Sequence, residues 1–265
     1  MIATNARARL HLVHVVDDDQ KPRIVEGETA IARQFLQDEV ARLNWIDGLE
    51  CTSDVVLGDP FEGIGISADE IGPDLLVLGA HRRRVLRDVF VGTTAQRTIR
   101  RANWPVLMVN APAKEPYANV LLATDLSETS HRAAAHLVTL DLAAPDQYTL
   151  LHVFDAPVER LAMNNALQES QMLRYHVEAQ IEAEQALAEF AATLPFERCT
   201  RIAERNDAAI STAILKVASE TAADLIVVAS QGRVGLSKTF LGSISEEVLR
   251  RADRDVLVIP PNLLR

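Results

Sequence analysis

Only two cysteines stand among the 265 residues, Cys51 and Cys199, too few for a disulfide framework or a four-cysteine metal centre. Long apolar runs are lacking too. Even the strand-like stretch from Leu75 to Gly79 stops far short of the roughly 20 residues that a membrane helix needs, so no membrane role is expected. No charged stretch followed by an apolar run opens the chain as a secretion signal, and the expected location is the cytoplasm. Positive charge is in deficit. Against 27 Lys and Arg there are 37 Asp and Glu, and a net charge of −10 repels a phosphate backbone on average, which argues against nucleic acid as a partner. The seven histidines form no cluster with zinc-like spacing, so no metal site is expected. A nucleophile elbow and a Ser-His-Asp set are both missing, which leaves no candidate catalytic residue of those kinds.

What is present is a repeat. The stretch from Asp74 to Val109 lies over that from Asp224 to Ile259 without a gap, at a constant offset of 150. Upstream, His11 to Asp17 matches Thr149 to Asp155, and Cys51 to Asp59 matches Cys199 to Asp207. The two cysteines are therefore one repeated position, read as a small, partly buried strand residue. His14 and His152 recur likewise, which suggests a shared strand-end packing role.

Short apolar runs bounded by Gly, Pro and Asp alternate with longer amphipathic stretches, the pattern of a parallel sheet covered by helices. In the second repeat the expected strands are Asn119 to Ala123, Tyr148 to Phe154, Arg198 to Ala203, Asp224 to Ala229 and Asp255 to Pro260. The expected helices run from Glu128 to Leu140, from Asn165 to Ala192, onward from a capping Asp207, and from Ser243 to Arg251. The first repeat follows the same order from its second strand, Leu10 to Val16, with residues 1–8 reading as the tail of a helix. Its first strand and most of its first helix are missing. The fold class is thus α/β, with two doubly wound parallel five-stranded sheets in order 3-2-1-4-5, the first N-terminally incomplete. Residues 1–110 and 119–265 are the expected domains. A linker rich in Pro and Ala, residues 111–118, joins them.

Chemistry concentrates in the second repeat. A strand ending in small residues that leads through a glycine-bearing loop to a helix start offers bare backbone N–H groups and a positive dipole end to a phosphate. Ala229, Gly232, Gly242 and Ser243 are placed for that task. Asp125, closing the first strand after Thr124, is able to accept from an adenine amino group or a ribose; a helix cap or turn is its plainer role.

With those residues in view, the second repeat resembles a universal stress protein domain over nearly its whole length, and the first resembles the same family from its second strand on. The family's nucleotide signature is a glycine, two residues, a glycine, nine residues, then glycine with serine or threonine. Here Ala229 takes the first glycine, Gly232 the second, and Gly242 and Ser243 close it. Alanine is tolerable where φ is negative and obstructive where φ is positive or a ligand packs against it. The resemblance implies that Asp125 contacts the adenosine, that Val153 and Val228 flank base or sugar, and that Gly232, Gly242, Ser243 and Ser245 hold phosphates. Thr124 and Ile244 complete the implied set. The implied ligand is ATP, or ADP or AMP, with Mg accompanying ATP.

In the first repeat the same alignment gives Gly79, Arg82 and Gly92 with Thr93. Arginine in a loop that must approach phosphates, together with the missing first strand, predicts that this repeat holds no ATP. The basic run His81 to Arg87 reads as a solvated loop, with an anion contact or a partner surface as the alternatives.

The resemblance implies a stress-response sensor that binds adenine nucleotide in its second repeat and acts through unidentified protein partners. It implies at most slow ATP hydrolysis, since no P-loop lysine follows the last glycine. The family also implies antiparallel pairing of the last strands, at Val106 and Val256, into an internal pseudo-dimer, with homodimerisation of the whole chain as a further step. The alternative is a nucleotide-free scaffold in which Ala229 blocks the site. An adenine-nucleotide hydrolase needs a glycine-rich loop after strand one, which Ala123 to Arg132 lacks, and a response regulator needs a lysine on strand five, which Arg254 to Pro260 lacks.

Overall fold

A computed structural model describes residues 2–79, 93–110, 117–142, 148–155, 169–196, 198–206, 209–230 and 241–260. The first repeat comprises the short helix α1 (Ile2–Asn5), β1 (Leu10–Val16), α2 (Pro22–Ile46), β2 (Cys51–Leu57), α3 (Pro60–Ile71), β3 (Leu76–Gly79), α4 (Thr93–Arg101) and β4 (Val106–Val109). The second comprises β5 (Val120–Thr124), α5 (Glu128–Thr139), β6 (Tyr148–Phe154), α6 (Glu169–Ala192), β7 (Cys199–Arg205), α7 (Ile210–Glu220), β8 (Leu225–Ala229), α8 (Ser243–Arg251) and β9 (Asp255–Ile259).

Seven strands form one sheet in the order β3-β4-β9-β8-β5-β6-β7, while β1 and β2 form a separate parallel pair. The second repeat's strands run in the expected order, β7-β6-β5-β8-β9, whereas the first repeat does not form a five-stranded sheet of its own among the described residues. The two repeats share one continuous sheet because β4 pairs antiparallel with β9, Val106 opposite Val258 and Met108 opposite Val256. The first repeat is split because no described strand lies between β1 and β3, where β5 lies between β6 and β8 in the second repeat.

Every pairing that both repeats possess keeps its register. Leu10 faces Cys51 as Tyr148 faces Cys199, and Leu76 faces Val106 as Ile226 faces Val256. Alternation sends successive side chains of β8 to opposite layers. Ile226 and Val228 pack with Val248, Leu249 and Ile214 under α7 and α8, while Leu225 and Val227 pack with Ala134, Leu137 and Leu187 under α5 and α6. Both faces are apolar, as a parallel sheet buried on both sides requires.

Local chemistry sets the helix starts. Asp59 accepts from the backbone N–H of Phe61 (2.9 Å) and Glu62 (3.3 Å), with Pro60 at the first helical position of α3. Within α3, Gly63 lets the helix lie against β1: a Cβ there would meet the Val15 methyls at 2.7 and 2.9 Å. Ser127 caps α5 by accepting from Ser130 N at 3.2 Å. The expected cap Asp207 lies outside the described residues, and the N-cap position of α7 is Ala209, which makes no side-chain cap bond.

Most of the predicted linker, residues 111–116, also lies outside the described residues, but both its ends are anchored. Asp255 accepts from Asn110 N (2.8 Å) and from the Tyr117 hydroxyl (2.7 Å), and Asp224 accepts from Ala118 N (2.7 Å) and Asn119 N (3.1 Å). Burial, then the hydrogen bond and charge of Asp255, raise the Tyr117 pKa well above the ordinary phenol value. Cys51 and Cys199 are both free, one buried and one partly so, and burial raises both thiol pKa values.

Candidate functional site

Strand register puts the candidate residues at one end of the sheet. Ala123 faces Val228 on β8 and Thr124 faces His152 on β6, and Asp125 follows directly after β5 at this end of the sheet. These positions are the C-terminal ends of three adjacent parallel strands. The chain leaves β5 toward β6 on one side, while β8 lies on the other, which makes this the switch point where an open α/β sheet forms a crevice.

The turn after β5 is tightly specified. Asp125 Oδ1 accepts from Ser127 N (3.0 Å), Ser127 Oγ (2.5 Å) and Ser130 Oγ (2.6 Å). Its turn role is therefore realised and the carboxylate is held in one orientation, while the helix cap is Ser127. Thr124 Oγ1 accepts from Leu126 N at 3.0 Å, and Leu126 adopts φ +62°, a left-handed conformation that a non-glycine residue holds only at a cost of order 1 kcal/mol. Beside it the His152 ring donates through Nδ1 to Thr124 O at 3.0 Å, which fixes the imidazole tautomer.

The second half of the site is the start of α8. Gly242 is its N-cap and supplies no side-chain cap bond, so the helix's first-turn N–H groups have no side-chain acceptor from that position. Gly242 N donates to Ser230 O at 2.7 Å, and a Cβ on Gly242 would meet that same oxygen at 3.2 Å. Ser243 and Ile244 are exposed at the helix tip. Ser245 turns inward, buried, and donates from Oγ to Ala229 O at 2.8 Å, stitching α8 onto β8.

Ala229 is unstrained. It is a strand residue opposite Ile259 and is absent from the positive-φ positions, so a methyl there costs the backbone nothing. The methyl packs at the margin of the cluster under α5 and α6, whereas Val228, Val153 and Ala123 belong to the opposite face. Gly232, in residues 231–240, lies outside the described residues, as do Arg82, Gly92 and the basic run His81 to Arg87.

Two features here escape local sequence patterns. Arg100, from α4 of the first repeat, donates through Nη2 to both carboxylate oxygens of Glu246 (2.8 and 2.9 Å), offsetting the acidic residue in the first turn of α8. Separately, Asp17, Asp18 and Asp19 bring three exposed carboxylates together after β1.

Sequence comparison places this geometry in a family: the universal stress protein profile matches residues 1–110 and again residues 116–260. The chain belongs to the universal stress protein family. Two matches in series make it a tandem member of this stress-response family. It is 27% identical over 209 residues to universal stress protein E of Escherichia coli, covering 77% of this chain and 66% of that relative's length. A universal stress protein of Methanocaldococcus jannaschii is 26% identical over 156 residues, covering 54% of this chain and 94% of its own length. Among solved structures, a universal stress protein from Archaeoglobus fulgidus superposes with a TM-score of 0.63 at 18% identity, covering 96% of this chain and 88% of that one. No helix among the described residues is long and apolar enough to cross a membrane.

Proposed function

We propose that the second repeat binds ATP, or the related ADP or AMP, across the ends of β5 and β8, and that occupancy alters association with protein partners in the cytoplasm. The observation that carries this reading is the convergence of the C-terminal ends of β5, β6 and β8 at the switch point, with Asp125 directly after β5 and with α8 starting at Gly242 without a side-chain cap.

The residues present fit the ligand. Asp125, oriented by Ser127 and Ser130, accepts from ribose or adenine, and Val153 and Val228 supply apolar flanks on one face. Bare first-turn amides and the exposed Ser243 hydroxyl favour phosphate oxygens, Gly242 leaves room for their approach, and Arg100 reduces the opposing charge of Glu246. ATP brings adenine and a polyphosphate that carries Mg. No described side chain at these strand ends stands as a general base beyond the serine-bound Asp125, so the reading is a sensor with at most slow hydrolysis. Residues 1–110 form a first domain without a nucleotide site, 111–118 the linker, and 119–265 the binding domain; the whole chain dimerises further.

A second reading, a nucleotide-free scaffold, is favoured by the Ser245 hydroxyl, which is already committed to Ala229 O. Calorimetric titration of ATP into the whole protein separates the two. The sensor predicts one site per chain, lost in Asp125→Ala. No heat and no thermal shift in ATP supports the scaffold, and a stoichiometry of two overturns the single-site assignment.

A further inference from the structure

The bridge between Arg100 and Glu246 crosses the seam in one direction. At the offset of 150, Arg100 corresponds to Arg250 and Glu246 to Gln96, so a symmetric seam would also set Arg250 against Gln96. Instead Arg250 folds back on Glu247 of its own helix at 2.6 Å, while Arg100 reaches from α4 to α8. The second repeat alone has an acid at this position, and the arginine that answers it comes from the first.

Glu246 sits one turn into α8, its N–H donating to Gly242 O at 2.9 Å. Side chains on a helix lean toward its N-terminus, which brings this carboxylate toward the amides that Gly242 leaves without a side-chain cap. Left unpaired, its charge would oppose a phosphate approaching the same helix end. Arg100 Nη2 meets both carboxylate oxygens, at 2.8 and 2.9 Å, so the contact uses one nitrogen of the guanidinium. Nε and Nη1 carry no hydrogen bond among the described residues, and their donors are free to serve an anion. Neighbouring arginines are occupied elsewhere. Arg97 pairs with Asp59 at 3.2 Å, Arg101 lies over the Phe61 ring, and Arg251 donates to Thr212 at 2.9 Å. Both partners of the bridge are part-exposed, 47% for Arg100 and 33% for Glu246, and an ion pair so placed adds little to folding stability. Its effect falls on the charge beside the start of α8.

We propose that Arg100 of the first repeat is a specificity-determining residue for the nucleotide site of the second, selecting nucleoside di- and triphosphates over monophosphates. The role rests on the second repeat's binding of adenine nucleotide. Arg100 cancels the charge of Glu246 and turns its remaining donors to the outer phosphates, which AMP lacks. The energy of a charge beside a ligand scales with the charge that the ligand carries, so ATP gains more than AMP. A planar guanidinium is suited to hold a carboxylate and a phosphate together. The first repeat, though it holds no nucleotide on this reading, completes the site of the second.

The test is calorimetric titration of ATP and of AMP into the intact protein and two variants. Arg100→Gln is expected to weaken ATP binding by about tenfold or more and AMP binding by less than about twofold, with the melting temperature nearly unchanged. Glu246→Gln removes the opposing charge and releases Arg100, and is expected to tighten ATP by about threefold or more relative to AMP. Both differences are expected to shrink as salt is raised. Equal losses of ATP and AMP affinity in Arg100→Gln overturn the proposal and leave the arginine a structural tie. Unchanged ATP affinity in that variant overturns it as well, as does weaker ATP binding in Glu246→Gln. If the unaltered protein binds neither nucleotide, the binding assignment itself fails and the role of Arg100 falls with it.

Discussion

Substituting Ala229 by glycine restores the family's first signature glycine, and the structure predicts that the restoration harms the protein. Ala229 has negative φ and its methyl packs at the edge of the cluster containing Val227, Leu257 and Ile259. Deleting a half-buried methyl costs up to about 0.8 kcal/mol. Placing glycine in a strand costs a further 0.5–1 kcal/mol or so in backbone entropy. The sum is about 1–2 kcal/mol, and at roughly 2–4 °C per kcal/mol for domains of this size the melting temperature is expected to fall by several degrees. Because the methyl lies on the face opposite Val153 and Val228, ATP affinity measured by calorimetry is expected to stay within about twofold. A melting temperature that rises would refute the claim that the backbone is unstrained. An affinity gain of tenfold or more would show that the methyl does face the ligand.

Two further outcomes follow from the geometry. Tyr117→Phe removes the 2.7 Å donor to the buried Asp255 and is expected to destabilise by about 1.5–3 kcal/mol in chemical denaturation; an unchanged midpoint refutes the anchoring role. Burial lowers the His136 pKa below its ordinary value of 6.5, opposed by the charge of Asp74. The unfolded chain therefore takes up a proton that the folded one resists, so stability holds above pH 6.5 and falls as pH drops below it. Asp74→Asn is expected to steepen that fall and His136→Gln to flatten it, read from denaturant midpoints between about pH 7.5 and 5.5; identical slopes for all three proteins count against the assignment.

Much of the fold was legible because it is written twice. The offset of 150 aligns β3 and β4 with β8 and β9 in the sequence itself, and β1, β6 and α8 fall on the predicted residues. The antiparallel joining of Val106 and Val256 edges was expected from the family resemblance and is present. What escaped was interaction between distant stretches. Nothing near Asp255 announces that it holds Asn110 and Tyr117, and nothing near Arg100 announces Glu246, because those partners meet only once the sheets have joined. The inward turn of Ser245 was equally invisible: a serine in the first turn of a helix reads as a ligand donor until the strand beside it presents a carbonyl. The expected antiparallel seam joins the sheets of the two repeats, and the departure lies in the first repeat, which contributes only β3 and β4 to the continuous sheet while β1 and β2 stand apart.

The antiparallel seam between β4 and β9 joins two segments of one polypeptide, and that changes what dilution does to it. Two separate chains meeting through such edges must surrender translational and rotational freedom, and their contact weakens as they become scarce. Here the tether through residues 111–118, pinned at both ends by Asp255 and Asp224, keeps each edge at a fixed local concentration relative to the other. The paired state is therefore insensitive to how much of the protein the cell makes. Scarcity, which would unmake a two-chain version, leaves this sheet whole.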